Sequence, residues 1–129
     1  MAKEKKKGEP MFQEDWVMRQ IRYAIQFIAR MLFNKDVITY DIQDIYHPTE
    51  TDMLYSRINS LIDQGRINEA ENLLFETLDT YNTNHLIIAL DFYSRINEMS
   101  DAELEVSSFS REEIESGLND IKAQFGISI

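Results

Sequence analysis

Between Phe12 and Phe33 the polar residues Asp15, Arg19, Arg22, Gln26 and Arg30 recur at steps of three and four along a mostly apolar run. That period is helical, and it gathers these polar side chains into one narrow stripe. Trp16, Tyr23, Phe27 and Met31 fall on one flank of the stripe, and Ile21, Ile25, Ile28 and Leu32 on the other. A surface helix exposes about half its circumference, whereas this one has polar cover for far less. It is therefore either the central helix of the domain or a helix that serves two surfaces, its own core and a partner.

The pattern beyond it continues to predict helices. Asp36 to His47 has a mixed signal: Ile38, Tyr40 and Ile42 alternate, while Ile38, Ile42, Ile45 and Tyr46 fit a helical face. A lone strand would find no edge to pair with, so the segment reads as an extended or irregular connection closed by Pro48. Glu50 to Gln64 is a helix ended by Gly65, and Ile67 to Tyr81 is its partner. The polar break Asn82, Thr83 and Asn84 suits capping of a largely buried helix over His85 to Met99. Ser100 with Glu103, and Ser110 with Glu113, have capping-box spacing. They predict a short helix to about Val106 and a last one to Phe125, stopped at Gly126. The expected fold class is all-α: a single domain of about five to six helices over residues 11–129, after a disordered basic leader over residues 1–10.

Leu54, Ile58, Leu61, Gly65, Ala70 and Leu74 are spaced as in a helical hairpin with a glycine bend and a small residue at the crossing. The segment from about residue 50 to 82 resembles a tetratricopeptide repeat. It departs from that pattern at Arg57, where leucine is usual, and at Asn82, where proline often closes the unit. A shift of 32 residues places Leu86, Leu90, Tyr93, Asn97, Ala102 and Val106 in matching positions, at best a degenerate second unit. Most of residues 11–129, including the run Ala70-Glu71-Asn72-Leu73-Leu74-Phe75-Glu76, also resembles a family of small, functionally uncharacterised all-helical bacterial proteins. The repeat resemblance implies a ligand face on the first helix of the hairpin, carried here by Asp52, Tyr55, Asn59 and Asp63. Its acidic character favours a partner segment with basic residues.

Composition narrows the chemistry. The chain of 129 residues has no cysteine, four glycines and two prolines, which excludes a disulfide framework, a thiolate nucleophile and a β-sandwich rich in turns. Residues 1–35 carry eight Lys or Arg against four Asp or Glu, and residues 36–129 five against nineteen. The net charge of −10 thus hides a basic start and a strongly acidic body, and such a body repels phosphate backbones. Nucleic acid is not an expected partner. The lysines at positions 3, 5, 6 and 7 do not surround an apolar core of the signal-peptide kind, and a cytoplasmic setting is expected. Aromatics beside an arginine stripe suit an anionic membrane surface, a role ranked below those of core and protein interface.

No phosphate loop, metal-binding His-Glu-x-x-His or nucleophile-elbow motif is present. His47, with Asp44 three residues before it, is an incomplete ligand pair, and His85 sits where a helix start needs capping. Catalytic residues, metal and cofactor are all expected to be none. The sequence therefore points to a protein-interaction or assembly module, with a homodimer through the Phe12–Phe33 helix as one form of assembly. The alternative is a regulatory domain holding a small apolar ligand between the Phe12 and His85 helices.

Overall fold

The computed structural model describes residues 2–128, with side chains from Asp15 onward. Six helices and no strand are present among them: α1 (Ala2–Phe33), α2 (Glu50–Asp63), α3 (Ile67–Thr77), α4 (Thr83–Asn97), α5 (Asp101–Val106) and α6 (Arg111–Gln124). The basic leader expected over residues 1–10 falls outside the described side chains. α4 packs against α1, α2 and α6, α1 also lies on α6, and α2 and α3 form an antiparallel hairpin.

The centre of the domain is α4. Leu86, Ile88, Ala89, Leu90, Phe92, Tyr93 and Ile96 are all buried, so this helix is apolar around most of its circumference, as a central helix must be. α1 contributes Ile21, Ile25, Ile28 and Ala29 to the same core, and α6 contributes Ile114, Leu118 and Ile121. α1 is therefore not the central helix: its buried residues lie along one flank.

Local chemistry sets the helix ends. Thr49 and Asp52 exchange reciprocal bonds, Asp52 N–H to Thr49 Oγ1 at 3.1 Å and Thr49 N–H to an Asp52 carboxylate oxygen at 2.9 Å. Ser100 with Glu103 and Ser110 with Glu113 form the same capping box, as their spacing predicts. Gly65 takes φ +75°, a left-handed conformation that lets its N–H and that of Arg66 bond back to Ile62 and Leu61 and reverse the chain. Ala70 is fully buried on α3.

α3 ends at Thr77, four residues before the expected Tyr81. The Asp79 N–H donates to His85 Nδ1 at 3.0 Å, and the Asp79 side chain accepts from the Tyr81 N–H at 3.0 Å. These local bonds offer the backbone an alternative to another helical turn. The shifted second unit does not form a hairpin arm of repeat length. α5 has only six residues, and Ala102 and Val106 are exposed instead of closing a crossing.

The connection over residues 36–49 is irregular, as expected, and is anchored near its middle. Ile38 and Tyr40 are buried while Val37, Ile45 and Tyr46 are exposed. No helix of the described residues is long and apolar enough to cross a membrane.

Candidate functional site

Asp52, Tyr55, Asn59 and Asp63 lie along one row of α2, at the spacing that keeps side chains on a common helix face. The structure places that row against α4 and the 36–49 connection. Asp52 is buried and accepts the Tyr40 hydroxyl at 2.5 Å. Tyr55 is half-buried, its ring tilted against that of Tyr40 with centroids 4.9 Å apart. The Asn59 carbonyl oxygen accepts from Arg95 at 2.7 Å, and the other guanidinium nitrogen of Arg95 pairs with Asp63. Of the four, only Asp63 is exposed.

The row is thus a polar seam joining three segments of the chain. Asp91 completes it by accepting the Tyr40 backbone N–H at 2.9 Å. The Tyr40 hydroxyl and the Thr49 backbone hold the Asp52 carboxyl below its ordinary value. Burial first, and the bond to Asp52 second, push the Tyr40 phenol up to about 12. Burial also raises Tyr55, with a further contribution from its interaction with Asp91. These shifts keep Asp52 ionised and Tyr40 and Tyr55 protonated around neutral pH.

Tyr40, Asp91 and Arg95 were not among the candidates drawn from the sequence, although a signal for two of them was present. Asp91 and Arg95 are the charged residues of an otherwise apolar or neutral helix and stand four apart, on one face.

At its Asp63 end the seam opens into a groove of about 500 Å³ between α2, α4 and α5. Ile62, Met99, Ala102 and Val106 provide its apolar lining, and Asp63 and Arg95 stand at its lip. Val106 is 85% exposed, so a large part of this lining faces water.

A second polar cluster lies between α3, α4 and α6. The Tyr93 hydroxyl donates to the Glu71 carboxylate at 2.5 Å beside Gly117. Burial raises the Glu71 carboxyl above its ordinary value; the Tyr93 bond opposes this, and the nearby charges of Glu113 and Asp120 add to it. Tyr93 is itself raised, by burial and by the same carboxylate. This cluster does not reach the groove beside Asp63.

The histidines serve locally. His47 Nδ1 lies 3.0 Å from the Asp44 carboxylate on an exposed turn, and His85 closes the turn after α3. Among the described residues no group of three or more His, Cys, Asp or Glu side chains is arranged to hold a metal ion.

The flank of α1 opposite the core carries a different kind of surface. Trp16, Tyr23, Phe27 and Met31 are 52%, 55%, 49% and 58% exposed, an apolar row on the solvent side of the helix that Gln20 interrupts between Trp16 and Tyr23.

No curated protein matches this chain, and no solved structure matches it. The model of a family of unknown function, DUF6483, matches residues 11–126, and the chain belongs to that family.

Proposed function

We propose that the protein is an interaction or assembly module whose groove between α2, α4 and α5 receives an apolar segment with basic flanks from a partner protein. The observation that carries this reading is the open apolar groove of about 500 Å³ with Val106 and Ala102 left exposed at its edge. Concave apolar surface of this kind is where partner side chains anchor, because burying it removes hydration at little cost in reorganisation. Charge selects the occupant. Glu103 borders the groove beside the Asp63–Arg95 ion pair, Glu105 is exposed on α5, and residues 36–129 are strongly acidic. A basic flank is attracted by that field and an acidic one repelled.

The row Asp52, Tyr55 and Asn59 supports the groove from behind, through Tyr40 and Arg95, and only Asp63 reaches it. The alternative, a small apolar ligand between α1 and α4, gains no support from the packing. Ile21, Ile25 and Ile28 fill that seam with at most 5% exposure, and Asn97 closes its end by donating to the Met18 carbonyl at 2.9 Å.

The test uses the full chain as bait in a cytoplasmic extract, beside a Val106→Glu/Ala102→Glu variant, with every captured protein then measured against both baits in purified form. Both substitutions are at exposed positions and leave the helical spectrum and melting temperature unchanged. A partner whose purified form binds the variant at least tenfold more weakly supports the groove as the docking site. Equal binding of all captured proteins to both baits overturns it.

A further inference from the structure

We propose that the outer stripe of α1 is a self-association surface, on which two copies of this chain pair through antiparallel α1 helices. The surface is separate from the groove, to which α1 contributes no lining residue. Trp16, Tyr23, Phe27 and Met31 recur at steps of seven, four and four, the spacing of a helix–helix seam, along roughly 22 Å of helix at 1.5 Å per residue. Ile21, Ile25 and Ile28 already bury the opposite flank, so this second apolar row is not required by the domain core.

The stripe has the size of the centre of an interface with a second copy. Four half-exposed side chains, three of them aromatic, amount to on the order of 400 Å², about half of what one partner contributes to a stable interface of standard size. The neighbouring Arg19 and Gln20, together with Arg30, enlarge the footprint. Aromatic residues and methionine with arginine beside them are the composition that interface centres favour, and a guanidinium over a facing aromatic ring adds attraction.

Charge fixes both the occupant and the direction. Asp15 at one end of the stripe and Lys35 just beyond the other have no side-chain partner among the described residues, and Arg19 has none either. In an antiparallel pair Asp15 of each copy faces Lys35 of the other, beside the Arg30–Asp36 ion pair, which makes two attractive contacts by symmetry. A parallel pair would set Asp15 against Asp15 and Arg19 against Arg19. Like charges so placed are repulsive.

Sedimentation equilibrium on the full chain at about 1–100 µM protein in moderate salt tests the pairing. We expect a mass of twice 15.2 kDa for the wild type, and a monomer for Tyr23→Glu/Phe27→Glu with an unchanged helical spectrum. A wild-type monomer throughout overturns the proposal, as does a dimer that survives the double substitution. A monomer that floats with anionic lipid vesicles does so too, and assigns the stripe to a membrane surface. Direction is read separately by disulfide trapping, which is clean because the chain has no cysteine. Asp15→Cys combined with Lys35→Cys should give a covalent dimer on mild oxidation, whereas Asp15→Cys alone should not. Efficient trapping by Asp15→Cys alone means a parallel pair and overturns the antiparallel arrangement. The charge swap Asp15→Lys/Lys35→Asp should dimerise as the wild type does, and each single change should weaken dimerisation about tenfold.

Discussion

Tyr93 on α4 donates its hydroxyl hydrogen to Glu71 on α3, and the two meet where Gly117 of α6 leaves room for them. A Cβ at position 117 would collide with the tyrosine hydroxyl and with the carboxylate. Three helices thus converge on one hydrogen bond, and the missing side chain on α6 is what allows their approach.

Gly117→Ala measures that constraint. Alanine is the better helix former by about 1 kcal/mol, yet the collision should cost roughly 1–3 kcal/mol. We expect a net loss and a melting temperature lowered by several degrees, using about 4–8 °C per kcal/mol for the smaller domains and less for larger ones. A higher melting temperature would show that Tyr93 and Glu71 move aside freely.

Glu71→Gln tests the electrostatics of the same point. The folded state holds the Glu71 proton more tightly than the unfolded chain does, because its carboxyl is raised by burial and by Glu113 and Asp120. Its contribution to stability is therefore fully present below the ordinary glutamate value and is lost as pH rises through the raised one. At pH 7 to 8 the neutral amide should melt at a higher temperature than wild type, and the advantage should vanish near pH 4. An advantage independent of pH would exclude ionisation of Glu71 as its source.

Arg111→Leu should be among the more damaging substitutions. The buried guanidinium donates to the Asn97 carbonyl at 2.6 Å, the Met99 carbonyl at 2.7 Å and Asp101 at 3.0 Å, tying the start of α6 to the end of α4. A hydrogen bond to a charged group is worth about 1.5–3 kcal/mol, and the carbonyls of a helix C-terminus favour a cation. Urea unfolding should show a loss of about that size or more. Arg111→Lys should recover only part of it, since an ammonium cannot reproduce the planar fork.

Ala70→Leu examines the α2–α3 hairpin. Ala70 is fully buried, and the added volume should destabilise by roughly 1–3 kcal/mol. An unchanged melting temperature would mean that the crossing is loose.

Much of this architecture is legible in the sequence because it rests on short-range chemistry. The boxes at Ser100–Glu103 and Ser110–Glu113 and the stop at Gly65 are decided within a few residues. The Thr49–Asp52 box has the same kind of spacing and so belongs among the readable signals, yet the repeat resemblance draws Asp52 onto a ligand face. What decides its role is Tyr40, twelve residues away, whose hydroxyl only tertiary packing brings to it. The two flanks of α1 are almost equally apolar, so periodicity alone cannot choose which one meets the core. The choice falls to α4 and α6, whose packing against Ile21, Ile25 and Ile28 leaves Trp16, Tyr23, Phe27 and Met31 outside.

The anchoring of the 36–49 connection bears on how the chain can be cut. Tyr40 is fastened by its backbone to Asp91 and by its side chain to Asp52, whereas residues 43–48 are exposed around Tyr46, which is 83% exposed. A protease should therefore cleave first in that stretch, leaving α1 with the buried Ile38 and Tyr40 on one piece and α2 to α6 on the other. Because α1 is held by α4 and α6, the two pieces should remain together until denatured, and separately produced halves should reassemble, making the severed connection a site for circular permutation or for splitting the protein into complementing fragments.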